Sequence, residues 1–167
     1  MCILKVYMFA KTQTVFINSP LGITKIVGDE IGITEISIAS EGIISNTIPA
    51  ELQEAVSQLN DYFEGNRTEF TFKLNPKGTE FQQKVWQELH NIPFGKTISY
   101  LDLSKKLGDV KAIRAVASAN GKNPLWIVIP CHRVIGTDGS LTGYAGGLWR
   151  KKWLLEHENP TNQQRLF

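Results

Sequence analysis

A change of periodicity near residue 75 constrains this 167-residue chain more than any other feature, because β-branched runs stop there and helical spacing begins. Before it, Thr14 to Ile17, Ile23 to Val27 and Ile33 to Ile38 are separated by Ser19-Pro20-Leu21-Gly22 and Gly28-Asp29-Glu30. That pattern predicts a strand meander. Leu52, Ala55, Val56, Leu59 and Phe63 then follow helical spacing up to Gly65, so a helix should cover one face of the sheet. Beyond Lys73-Leu74-Asn75-Pro76-Lys77-Gly78, read as a linker, Thr79 with Gln82 forms a capping-box signature, and Phe81, Val85, Trp86 and Leu89 make an apolar stripe. The fold class expected is α+β: a small N-terminal antiparallel sheet with a helix, residues 1–75, then a mostly helical C-terminal domain, residues 76–167.

Apolar residues at 42% and charged residues at 20% exclude a disordered or fibrous chain. The longest apolar runs, such as Trp126 to Pro130, fall far short of a membrane span, and no signal-peptide cleavage pattern is seen. A cytoplasmic location is therefore expected, with no membrane partner. Two cysteines, Cys2 and Cys131, are too few for a disulfide framework.

Charge divides at the same boundary. Residues 1–75 carry 5 Lys/Arg against 9 Asp/Glu, net −4, while residues 76–167 carry 13 against 7, net +6. A basic half suits a polyanionic partner, and a solvated surface is the plain alternative. Within it, Ser99 with Asp102 repeats the capping signature before Leu103 and Leu107. Gly108-Asp109-Val110 turns into a second helical stretch, Lys111 to Asn120, with Gly121 as its expected C-cap. This is the outline of a helix-turn-helix, although many helical hairpins share it. Ala112, Ala115, Ala117, Ser118 and Ala119 leave the second helix nearly bare around Arg114. Such a helix fits either a groove or a tightly packed neighbour.

Trp126-Ile127-Val128-Ile129 lies between Pro124 and Pro130 and is expected to be a buried extended segment leading to Cys131-His132-Arg133. A thiol beside an imidazole and a guanidinium can reach a lowered pKa and act as a nucleophile; a buried structural thiol is the alternative. His90, His132 and His157 show no zinc-ligand spacing.

Ile129-Pro130-Cys131-His132-Arg133-Val134-Ile135-Gly136 resembles the active-site signature of the O6-alkylguanine-DNA alkyltransferases, the methylated-DNA-protein-cysteine methyltransferases. Phe94 to Tyr100, Lys111 to Val116, Asn123-Pro124, Gly143 to Leu148 and Trp153 to Glu158 look like the family's other blocks in its order. The likeness covers residues 79–158 almost continuously, whereas the N-terminal half is similar only in pattern.

The resemblance implies repair of O6-alkylguanine, with O4-alkylthymine as the weaker substrate, in double-stranded DNA by a monomer that turns over once. It implies no cofactor, and the zinc ligands that some members carry in the N-terminal domain are not evident here, so no metal is expected. Cys131 would be the nucleophile, His132 its base through a water, Glu158 the orienting carboxylate, Asn123 a loop-fixing hydrogen-bonding group and Tyr100 a proton source that also helps rotate the nucleotide. A helix set in the minor groove would present Arg114, Ala115, Ser118, Ala119 and Lys122, with Arg114 filling the space left by the flipped base. Val134, Tyr144, Ala145 and Gly146 would line the pocket, with the backbone carbonyls of Cys131 and Val134 reading the guanine amino group. Two departures stand out: Trp126, where many members have a smaller residue, and Ala145, where some have Ser. A damage sensor without transfer and a helix-turn-helix regulator are the competing classes. Cys131 argues against the first, and the bare alanine face against the second.

Overall fold

The computed structural model describes residues 10–160. Strands β1 (Gln13–Ser19), β2 (Gly22–Gly28) and β3 (Ile33–Ile38) form an antiparallel meander in the order β1-β2-β3. Alternation sends Val15 with Ile17 and Thr24 with Ile26 inward, and the register shift at Val27/Gly28 lets Ile33 and Ile36, an odd number of residues apart, both be buried. Helix α1 (Ala50–Phe63) lies on β1 and β2 through Leu52, Ala55 and Leu59, and Gly65 follows it in the left-handed region at φ 81°. At the helix end it is Tyr62, rather than Phe63 from the apolar stripe, that is fully buried.

Helix α2 (Glu80–His90) has both halves of the expected capping box: Gln82 N–H donates to Thr79 Oγ1 at 3.1 Å, and Thr79 N–H to Gln82 Oε1 at 2.9 Å. Val85, Trp86 and Leu89 are its buried face, whereas Phe81 remains 39% exposed. A short strand β4 (Ile98–Ser99) precedes α3 (Tyr100–Lys106), and a 3-10 turn at Val110–Ala112 leads to α4 (Ile113–Gly121). The second helix therefore starts two residues later than the sequence pattern implies. Gly121 is its last residue, and Lys122 takes the cap. Trp86 Nε1–H donates to the Ala119 carbonyl at 2.9 Å and fastens α2 beneath α4. A two-residue strand β5 (Val134–Ile135) and α5 (Leu148–Glu158) complete the fold.

Two expectations change. The segment read as a linker is strand-like in its first residues: Ile33 N–H donates to the Lys73 carbonyl at 2.9 Å and Asn75 N–H to the Ile33 carbonyl at 2.8 Å. Residues 126–129 are not extended but turn tightly. Only Leu125 bridges to β3, flanked by Ile36 N–H to Pro124 O at 2.8 Å and Trp126 N–H to Ile36 O at 3.0 Å. Sheet and helical half thus share backbone hydrogen bonds at β3, and one apolar core runs through both. Among the described residues no helix is long and apolar enough to cross a membrane.

Trp86→Phe keeps a smaller aromatic ring and loses the indole N–H that bonds to α4. The Ala119 carbonyl keeps Lys122 N–H at 3.2 Å, so the lost hydrogen bond and the space left by the smaller ring are expected to cost about 1–3 kcal/mol in urea unfolding, without loss of helix content by circular dichroism.

Candidate active site

Asn123 organises the turn that carries Cys131. Its Nδ2 donates to the Ile129 carbonyl at 2.6 Å and its Oδ1 accepts from Leu125 N–H at 2.9 Å, closing the loop at both ends. Inside it, Val128 N–H reaches the Trp126 carbonyl at 2.8 Å around Ile127, which sits at φ 73°. A β-branched residue there costs about 1–3 kcal/mol, and burial of its side chain holds it in place. Pro130 makes the next tight turn, with Cys131 N–H on the Ile129 carbonyl at 2.8 Å. Cys131–Arg133 then form one 3-10 turn before β5.

Strand β5 pairs in parallel with β4, Ile98 beside Val134 and Ser99 beside Ile135, and so brings Tyr100 to the thiol. Ser99 caps α3, accepting from Asp102 N–H at 3.0 Å. The Tyr100 hydroxyl accepts from Asn120 Nδ2 at 3.3 Å. Burial, and then the charge on Cys131, push the Tyr100 phenol above its ordinary value.

Helix α5 buries Lys151, Leu154, Leu155 and Glu158, residues spaced along one face. The Glu158 side chain is 1% exposed, and its Oε1 accepts from Tyr62 Oη at 2.8 Å, His132 Nε2 at 2.8 Å and Arg133 Nη2 at 2.9 Å. Oε2 accepts from Arg133 Nε at 2.8 Å, and Arg133 Nη1 donates to the Ile92 carbonyl. Burial alone would raise this carboxyl, but the His132 imidazole and Arg133 guanidinium hold it well below the usual carboxylate range. An ionised carboxylate only accepts, so His132 carries hydrogen on Nε2. In the neutral ring Nδ1 is then the basic atom, and it has no hydrogen-bond partner among the described residues.

Cys131 is 4% exposed. Burial raises its thiol pKa, against the opposing pulls of the Asn123 side chain and the Lys151 charge. The lowered pKa expected from the neighbouring imidazole and guanidinium is therefore overturned. Arg133 is committed to Glu158, and desolvation dominates at sulfur. The Tyr144 phenol is likewise raised well above its ordinary value by burial and by the charges of Cys131 and Glu158. Its ring lies against Trp126, centroids 5.1 Å apart. Trp126 also covers Gly146, where a Cβ would meet its ring at 2.4 Å, so the bulky residue on the entering segment buttresses Tyr144. Val134 is buried, and Ala145 is exposed.

On α4, Arg114, Ala115 and Ser118 are exposed together, with Lys122 just beyond. Ala119 does not belong to that face: it is 3% exposed and packs toward α2, where its carbonyl holds Trp86. Among the described residues no group of three or more His, Cys, Asp or Glu side chains is placed to hold a metal ion.

Three residues escape the sequence reading. Arg133 was legible only as a cation beside the thiol, and Tyr62 only as one residue of the α1 segment. Lys151 is fully buried, with Nζ donating to the Thr142 carbonyl at 2.9 Å and lying 5.8 Å from the Tyr100 ring centroid. Burial pushes its ammonium down to about 8, and the charge on Cys131 opposes this. The one sequence signal was its place, i, i+3, i+4 and i+7 with Leu154, Leu155 and Glu158.

Residues 80–160 match the family described as 6-O-methylguanine DNA methyltransferase, DNA binding domain, and residues 14–76 match its ribonuclease-like domain. The chain belongs to the 6-O-methylguanine DNA methyltransferase family. The constitutive methylated-DNA–protein-cysteine methyltransferase of Bacillus subtilis is 46% identical over 158 residues, covering 89% of this chain and 96% of that one. The Mycobacterium tuberculosis methyltransferase is 44% identical over 147 residues, covering 85% and 89%. The crystal structure of M. tuberculosis O6-methylguanine methyltransferase superposes with a TM-score of 0.81 at 41% identity, covering 90% and 94%. The M. tuberculosis protein in complex with DNA gives 0.78 at 42%, covering 90% and 92%.

Lys151 titrates at about 8 in the fold and at about 10.4 in an unfolded chain. The native state thus binds fewer protons over that interval, and folding carries a cost that is full below it and fades as pH rises through it. Lys151→Met is expected to raise stability at neutral pH by about 1–3 kcal/mol in urea titrations, with the gain shrinking toward the top of that interval. The same change removes a cation facing Cys131, so alkylation of the thiol by iodoacetamide should move to higher pH.

Proposed function

We propose that this protein repairs DNA by direct damage reversal, moving the alkyl group of O6-alkylguanine onto its own Cys131. What carries the reading is a buried thiol adjoining a His132–Glu158 pair inside the segment that matches the family's DNA-binding domain. Residues 76–167 are assigned to DNA binding and transfer, and residues 1–75 to their support.

The target atom lies inside the duplex stack, so the nucleotide is first turned out, at a cost of about a few kcal/mol. Helix α4 enters the minor groove, with the small exposed side chains Ala115 and Ser118 admitting close approach and Lys122 at a phosphate. Arg114 fills the vacated space, and Tyr100 presses on the nucleotide's backbone. Tyr144, which shares the buried site with Cys131, moves aside with Ala145 and Gly146 to wall the pocket. The backbone carbonyls of Cys131 and Val134 accept from the guanine amino group. Cys131 O already takes Val134 N–H and keeps a second lone pair. O4-alkylthymine lacks that amino group and is the weaker substrate.

The thiol proton passes through a water to His132 Nδ1 while Nε2–H stays on Glu158. Sulfur then bonds to the alkyl carbon as the carbon–O6 bond breaks. The departing purine receives a proton from the Tyr100 side. Because the resting thiol is held protonated by burial, base and nucleophile act together only when substrate is in place. A thioether is a poor leaving group, so each molecule acts once. The protein works as a monomer in the cytoplasm without cofactor.

Incubation with duplex containing O6-methylguanine should add about 14 Da, located by peptide mapping on Cys131. Cys131→Ala should keep duplex affinity and lose transfer. A mass increase elsewhere, or none, refutes the assignment.

A further inference from the structure

We propose that Tyr62 of helix α1 is a positioning residue for alkyl transfer: its hydroxyl fixes the Glu158 oxygen that holds His132, which makes the sheet-and-helix half a working part of the reaction. This rests on the reading of Cys131, His132 and Glu158 given above. It gives the N-terminal half a role beyond support.

The geometry is specific. Tyr62 is fully buried, and its ring is held by Phe63, Phe70, Phe94 and His157, with centroids 5.5, 5.5, 6.3 and 5.0 Å away. His157 Nε2 lies 2.6 Å from the Tyr62 carbonyl and fixes the backbone as well. For packing alone, Phe would serve among these aromatic neighbours. The hydroxyl is a buried polar group whose hydrogen bond is to Glu158 Oε1 at 2.8 Å, across 96 residues of sequence. Burial and the adjacent carboxylate raise the phenol well above its ordinary value, so it remains a neutral donor at every pH where the protein works.

Oε1 is also the oxygen that binds His132. It carries three donors, the phenol, the imidazole and Arg133 Nη2, whereas Oε2 takes Arg133 Nε. With the carboxylate sealed from water, each donor removes part of the charge that the others feel. The phenol therefore shares Oε1 with the His132 ring and sets how strongly the two are bonded, and it helps to fix the carboxylate beside the Arg133 contact. The ionisable groups around this centre are Tyr62 from α1, His132, Arg133 and Cys131 from the 131–133 turn, Tyr144 from the following loop, and His157 and Lys151 on α5. Only the first three bond directly to the carboxylate among the described residues.

Tyr62→Phe removes one oxygen and leaves the ring. Single-turnover transfer from O6-methylguanine duplex, followed by mass from about pH 6 to 9, should slow about tenfold near neutrality. The acid limb of the rate profile should move to higher pH, because Glu158 Oε1 has lost one donor and bonds more strongly to the His132 ring. Binding to unmodified duplex should match that of the unaltered protein. Transfer at the original rate with an unmoved pH profile overturns the proposal. So does a slowing fully accounted for by a smaller folded fraction at the assay temperature, read by circular dichroism. A third contrary result would be a normal Tyr62→Phe beside an inactive Tyr62→Leu, since the ring alone would then be the whole role. Failure of the unaltered protein to gain a methyl group on Cys131 would instead reject the reading beneath it, and the two failures are separable.

Discussion

A carboxylate removed from water must be met by donors on nearly every lone pair, and Glu158 meets that requirement with side chains from two distant parts of the chain. Arg133 supplies the compensating charge in a two-point contact, and His132 and Tyr62 complete the set. The position of α5 is thereby coupled to the turn after Cys131 and to α1 on the sheet. Gly95, in the left-handed region at φ 75°, reinforces this, because a Cβ there would press on the Glu158 carbonyl at 3.1 Å. The site is therefore a property of the assembled fold and of no single element.

Two opposite charges lie on one buried face of α5, Lys151 and Glu158, with Leu154 and Leu155 between them. Neither is there for stability: Lys151 is held partly against its own ionisation by burial, and Glu158 depends on neighbours to stay ionised. Near Lys151 lies a thiol that burial keeps protonated. A permanently ionised sulfur would react with any electrophile that reached it. A protonated one whose base and counter-charge are already in place limits that exposure while keeping deprotonation close at hand.

Much of this was legible in the sequence, for identifiable reasons. The meander, α1 and α2 follow from local periodicity and capping chemistry, and the Thr79–Gln82 box forms as written. Cys131, His132 and Glu158 were legible through motif resemblance, since spacing alone cannot bring residues 26 positions apart together. Local reading failed where tertiary contacts override it. Residues 126–129 look like a strand because they are apolar, yet Asn123 and Pro130 fold them into turns. The thiol's pKa was misjudged because adjacency in sequence says nothing of burial, or of Arg133 being spent on Glu158. Lys151 was passed over because lysine is ordinarily a surface residue, and Ala119 was placed outward although α4 turns it onto Trp86.

The tight path from Asn123 to Cys131 bears on how this chain can evolve. Its two ends are clamped by one side chain, its middle forces Ile127 into an unfavourable twist, and its start is hydrogen-bonded to β3. The clamps act on the backbone and on Asn123, so the other side chains along it can be exchanged while the path survives. A single inserted or deleted residue would rotate sulfur away from the imidazole. Divergence among descendants should thus accumulate as changes of residue identity in this stretch, and changes of length should be confined to exposed turns such as that around Gly139.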